Sequence, residues 1–96
     1  MKKEECPACT ETRKLTKHHI LPKRHFKCHI TILLCQECHN ELEKILPFEK
    51  RHFLIYVQKL IQFLYKKNKD VEYVGELTKR IMLQIRENVQ LTKGGV

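Results

Sequence analysis

Two cysteine pairs, Cys6-Pro-Ala-Cys9 and Cys35-Gln-Glu-Cys38, constrain this 96-residue chain more than any other feature. Each pair has two residues between its cysteines, and 25 residues separate the pairs. Together they supply four thiolates, the number that tetrahedral Zn2+ takes at about 2.3 Å per bond. The length between them lets a hairpin bring the two knuckles together. A chain this short buries only a small core, so a structural metal is an expected staple. The competing readings are a redox C-x-x-C and two unrelated pairs. The fifth cysteine, Cys28, is expected to be an inert loop or strand-edge residue. No apolar stretch follows the opening Met-Lys-Lys-Glu-Glu-Cys, so no secretory leader is expected. An intracellular, cytoplasmic, reducing compartment follows as the expectation, and there paired cysteines hold metal more often than they form disulfides.

Around the knuckles the pattern reads as strand, loop, strand, helix. Leu15 to Leu21 is β-permissive and stopped by Pro22, which cannot donate to a ladder. Residues 22–29 form a basic, His-containing loop, and Ile30 to Leu34 is β-branched and apolar, as a short buried strand is. From Gln36 the spacing turns helical, with Leu42, Ile45 and Leu46 on one side, until Pro47. Two more helices are predicted over 48–66 and 71–91. The first carries Phe53, Val57, Leu60, Ile61 and Leu64 as a stripe, widened by Leu54, Ile55, Tyr56, Phe63 and Tyr65. The second carries Val71, Val74, Ile81, Ile85 and Val89, with Leu77 alongside. Asn68-Lys69 supplies the turn and Asp70 the N-cap. Stripes of this kind are core, expected to pack on the metal module. The longest apolar-rich stretch, Phe53 to Tyr65, is broken by Gln58, Lys59 and Gln62, so no membrane span is expected.

The chemistry-bearing stretches are Leu15-Thr16-Lys17-His18-His19-Ile20-Leu21-Pro22-Lys23-Arg24 and Leu34-Cys35-Gln36-Glu37-Cys38-His39-Asn40-Glu41-Leu42-Glu43. A histidine pair before an aliphatic residue and a proline, followed by a C-x-x-C-His segment opening a helix, resembles the zinc-stapled branch of the HNH endonuclease (ββα-metal) family. The resemblance covers about residues 6–46. It implies His19 as general base, and His18 and His39 as ligands of a catalytic divalent ion (Mg2+, Mn2+, Ni2+ or Zn2+). Cys6, Cys9, Cys35 and Cys38 would hold the structural Zn2+. His39 and Glu43 are four residues apart and share a helix face, so Glu43, or a water it orients, can complete the metal's shell. Strict alternation sends His18 and His19 to opposite strand faces, so their two roles can be exchanged. Where the family has an asparagine that positions the base, this chain has Ile30, flanked by His29 and Thr31. His39 can alternatively serve as a zinc ligand in place of one cysteine.

These residue types suit phosphodiester hydrolysis. A neutral imidazole can take a proton from water near pH 7, and a divalent ion can neutralise charge at the phosphate. Lys23 and Arg24, in the loop after the histidine pair, are placed to contact flanking phosphates. The net charge is +8, and it is spread over both halves: nine Lys and Arg against six Asp and Glu in residues 1–46, ten against five in residues 47–96. An excess of this size suits a polyanionic partner, although a merely solvated cationic surface has the same composition. The C-terminal cations (Lys66, Lys67, Lys69, Lys79, Arg80, Arg86) are read as such a solvated face, and His25, His29 and His52 as surface or phosphate-contacting residues. The expected fold is a single α+β domain over 1–96. Residues 1–46 form the zinc-bound ββα-metal (HNH) module, and 47–96 add two C-terminal helices. The expected activity is metal-dependent cleavage of nucleic acid, DNA in preference to RNA, and the HNH resemblance implies products with a 3′-hydroxyl and a 5′-phosphate. The alternatives are a non-catalytic zinc-ribbon module that binds nucleic acid and an adaptor whose helices dock a protein.

Overall fold

A computed structural model describes residues 3–27 and 29–94, with backbone only over 89–94, so Cys28 and the Val89 side chain lie outside the described residues. The fold is α+β, with two short sheets and three helices. Strands β1 (Glu4–Glu5) and β2 (Thr12–Arg13) pair antiparallel, Glu4 opposite Arg13, and carry the first knuckle at their tip. Two bonds close that tip: Cys6 N–H to the Glu11 carbonyl and Thr10 N–H to the Cys6 carbonyl, each 2.9 Å. The turn requires a left-handed backbone at Thr10 (φ 65°), an uncommon conformation for a β-branched residue.

Strands β3 (Leu15–His19) and β4 (Thr31–Cys35) form the second antiparallel sheet, in register from Leu15–Cys35 to His19–Thr31. β3 ends at His19 rather than Leu21, and one further bond, Ile20 N–H to the Ile30 carbonyl at 3.0 Å, leads into the 21–30 loop. Directly opposed residues share a face, so Thr16 and His18 lie on one side with Leu34 and Ile32. Helix α1 (Gln36–Ile45) covers that side and buries Leu42 and Cys38. Cys35 is its N-cap: the sulfur accepts from Cys38 N–H at 3.5 Å, so knuckle and helix start are one structure.

The second helix begins five residues later than its spacing predicts. α2 runs Phe53–Lys67, and 47–52 is a loop. Two side chains hold the chain out of the helix after Pro47. The buried Tyr56 hydroxyl donates to the Glu49 carbonyl (2.6 Å) and accepts from Arg51 N–H (3.1 Å), while the His52 ring accepts from Leu54 N–H at 3.2 Å. His52 is thus a helix cap rather than a free surface residue. α2 buries Tyr56, Val57, Leu60, Phe63 and Leu64 between α1 and the last helix, α3 (Val71–Gly94). Asp70 caps α3 through Tyr73 N–H (3.1 Å), and Val74, Ile81 and Ile85 are its buried stripe. Val71, one residue inside the helix, is exposed instead of joining that stripe.

Two contacts tie the helices to the metal module. Asn68, 4% exposed, donates to the Pro7 carbonyl inside the first knuckle (2.7 Å) and accepts from Asp70 N–H (2.8 Å). Lys67 pairs with Glu41 of α1 at 2.7 Å, so this cation is engaged rather than part of a solvated face. No described helix is long and apolar enough to cross a membrane.

Candidate metal centre and basic cleft

The knuckles meet where β1–β2 abuts the β4–α1 junction. Cys6, Cys35 and Cys38 are buried and Cys9 is half-buried, with all four sulfurs within 4.8 Å of one another. A tetrahedron of about 2.3 Å Zn–S bonds has S···S edges of about 3.8 Å, and the Cys9–Cys35 separation is 3.7 Å. The site is also polarised for anions. The α1 N-terminus points at it, and Cys35 N–H lies 3.4 Å from the Cys6 sulfur. Burial works to raise the Cys6 thiol, but the N–H groups of Cys35, Cys9 and Ala8 outweigh it and bring the group down to about 7. Burial, with neighbouring sulfurs adding to it, pushes Cys38 and Cys9 the other way. A thiolate quartet here needs a compensating cation, and the donor set and spacing fit Zn2+. These four cysteines can hold a metal ion such as zinc; His39, the alternative ligand, belongs to a different cluster.

That second cluster lies on the other side of α1's first turns. His18 from β3, and His39 and Glu43 from α1, offer ligand atoms within 4.8 Å of one another. His18 is 2% exposed, and its ring meets that of His39 edge-on at 5.0 Å between centroids. Its Nδ1 is 3.3 Å from a Glu43 carboxylate oxygen, while Nε2 is buried without a partner among the described residues. A flipped ring would turn Cδ2 instead of Nδ1 toward Glu43, so the orientation with Nδ1 facing the carboxylate and Nε2 unmatched is the one that the ion-pair geometry supports. Desolvation, then the charges of His39 and His19, lower His18 to about 4. Glu43 would favour the imidazolium, but it is half exposed and water screens it, so the ring is neutral at pH 7. A neutral imidazole is the form that binds metal.

His39 is oriented by a residue that the sequence reading passed over. The Thr16 hydroxyl donates its single proton to the Leu34 carbonyl (2.9 Å), and His39 Nδ1 lies 2.9 Å from the Thr16 hydroxyl oxygen. Thr16 can then only accept, so His39 Nδ1 carries the hydrogen and Nε2 keeps its lone pair. Thr16 sits two residues before His18 on one strand face, and period-2 alternation was the signal that could have found it.

His19, outside the ligand cluster, lines the same cleft of about 190 Å3 as His18, His39 and Glu43. Alternation does send the two histidines to opposite faces. They reach a common cleft because β3 ends at His19 and the chain turns over it. No described residue hydrogen-bonds the His19 ring. Lys17, Lys23 and Arg24 form the cleft's cationic wall, of which Lys17 carried no assignment in the sequence. Arg24 does not simply reach outward. Its Nε donates to the Phe48 carbonyl (3.3 Å) and its guanidinium lies 4.5 Å from the Phe48 ring centroid. His25 contacts the same carbonyl through Nε2 at 2.9 Å. The structure therefore brings together every candidate cleft residue named from the sequence, and keeps them apart from the cysteine centre. No protein-family model, curated protein or solved structure matches the chain.

Proposed function

We propose that this chain is an HNH-type endonuclease that hydrolyses nucleic-acid phosphodiesters, DNA in preference to RNA. One observation carries the reading: three metal-competent donors, His18, His39 and Glu43, share a cationic cleft with a fourth group, His19, that has no ligand role. Nucleic-acid binding alone needs cations and no such constellation.

The orphaned buried nitrogen of His18 and the Nε2 lone pair that Thr16 leaves on His39 fit a divalent ion. Two imidazoles with one carboxylate suit Zn2+, Ni2+ or Mn2+ better than Mg2+. Bound there, such an ion supplies charge neutralisation at the phosphate and at the departing oxygen. His19 takes a proton from a water as the water oxygen bonds to phosphorus. The bond from phosphorus to the 3′ oxygen breaks, and that oxygen leaves with a proton from solvent as a 3′-hydroxyl, the phosphate remaining on the 5′ side. Lys17, Lys23 and Arg24 hold the strand's phosphates against the cleft wall.

The test is incubation of zinc-loaded protein with supercoiled plasmid and each of Mg2+, Mn2+, Ni2+ and Zn2+. Wild type should nick the plasmid, and His19→Ala should lose about 100- to 10,000-fold in rate. His39→Ala should lose activity that excess divalent ion partly restores. No cleavage of DNA or RNA with any of these ions overturns the enzyme and favours a zinc-ribbon module that only binds nucleic acid. One feature favours that second reading: Ile30 stands where the HNH pattern has asparagine, and no described residue hydrogen-bonds the His19 ring in its place.

A further inference from the structure

Phe48 is 78% exposed, the most exposed large apolar side chain among the described residues. An isolated exposed phenylalanine is ordinary in itself. This one differs in being anchored at the lip of a cationic cleft. Its carbonyl is held from the opposite loop by Arg24 (3.3 Å) and His25 (2.9 Å). The Arg24 guanidinium sits over the ring and also lines the cleft, so ring and cleft share a wall residue. The backbone beneath the ring is fixed from inside the same loop, where Tyr56 binds Glu49 and Arg51. The result is an aromatic ring on an anchored backbone, with most of its surface open to solvent beside the cleft's cations Lys17, Lys23 and Arg24.

Aromatic rings next to a cationic track bind unpaired bases, because every base has a π-face and stacking on it needs no particular sequence. A paired base inside a duplex has no such face free. We infer that Phe48, backed by Arg24, is a nucleobase-stacking subsite that directs the cleft to single-stranded or locally unpaired nucleic acid. The inference rests on the nucleic-acid reading of the cleft. It narrows that reading from nucleic acid in general to segments whose bases are splayed out.

The chain has no tryptophan, so Phe48→Trp installs a unique fluorophore at the subsite. Zinc-loaded protein without added divalent ion is titrated with a short single-stranded DNA oligonucleotide and with its blunt duplex. The indole should be quenched by the single strand and not by the duplex. Phe48→Ala should weaken single-strand affinity about 5- to 100-fold and leave duplex affinity unchanged. The salt dependence should not move, because no phosphate contact is removed. Phe48→Trp itself should bind single strands at least as well as wild type. Phe48→Ala with unchanged single-strand affinity overturns the subsite, as does an equal loss on both substrates; the cleft's nucleic-acid reading survives either result. If wild type binds neither oligonucleotide, the nucleic-acid reading itself falls, and the subsite with it.

Discussion

The two halves of this molecule hold their shape by different means. Residues 53–88 bury apolar faces, Tyr56, Leu60 and Leu64 of α2 and Val74, Ile81 and Ile85 of α3, all within one core cluster. The metal module has two-residue and five-residue strands and a ten-residue helix, and it sets Ile20, Leu21, Leu34 and Leu42 beside polar and sulfur-bearing side chains in its interior. Three of its buried positions are cysteines, and another is a histidine with an unmatched nitrogen. The half with the chemistry places thiols and an imidazole among its core positions, where α2 and α3 bury apolar side chains. A metal ion bound there would add to its stability, while the helices rest on apolar area.

The strongest way to break this comparison is to remove the metal from the cysteine centre. Chelation, or Cys38→Ser, should abolish the cooperative thermal transition, because α2 packs on α1, whose N-cap is the ligand Cys35. Helical circular dichroism should fall but not vanish. A metal-free protein that still melts cooperatively would show that apolar packing alone holds both halves.

The same contrast decided what could be read from the chain. The module was legible through spacing: paired cysteines, adjacent histidines and His39 with Glu43 on one helix face need no knowledge of packing. The late start of α2 was not legible, because the polar residues 49–52 between Pro47 and the stripe beginning at Phe53 do not forbid a helix, and Tyr56 and His52 hold them out of it by hydrogen bonds to the backbone. Val71 fits the stripe by period and lies exposed at the helix start. Thr16 and Lys17 escaped notice because a threonine and a lysine on a strand carry no signal until the histidine beside them has a place in space. Arg24, expected from its place after the histidine pair to contact phosphates, lines the cleft, but its hold on Phe48 joins residues 24 apart that no motif links.

A second prediction sharpens the contrast inside the module. Thr16→Val keeps the shape and removes the oxygen that fixes His39. Affinity for a divalent ion in the cleft should fall about 10- to 100-fold, read by calorimetric titration of zinc-loaded protein with Mn2+ or Ni2+. Zinc content and melting temperature should change little, and Thr16→Ser should restore binding. Equal affinity in Thr16→Val would mean the hydroxyl does not set the ring.

The seam between the halves comes next in size. Asn68→Ala strips the Pro7 carbonyl and Asp70 N–H of their shared partner at a buried position. The loss should be about 1–3 kcal/mol, lowering Tm by at least 4 °C or so for a chain of this length. Because Pro7 lies within the knuckle, zinc release to a competing chelator should also quicken. A lower Tm with unchanged zinc release would confine the effect to the α2–α3 turn.

The smallest effect concerns the backbone of the first knuckle. Thr10 holds φ at 65°, where a β-branched side chain costs about 1–3 kcal/mol. The strain persists because the bonds from Cys6 to Glu11 and from Thr10 to Cys6 close the turn around the ligands. Thr10→Gly removes the strain but adds freedom to the unfolded chain, worth up to about 1 kcal/mol against folding. The strain term is the larger, so the variant should gain about 1 kcal/mol and melt several degrees higher. Asn tolerates the left-handed region without glycine's added freedom, so Thr10→Asn should gain as well. Thr10→Ala, which keeps a Cβ at positive φ and loses the hydroxyl's bond to the Cys9 carbonyl, should not gain. If Gly and Asn both lower Tm relative to threonine, the hydroxyl bond outweighs the strain, and the knuckle is held by the Thr10 side chain as well as by its backbone bonds.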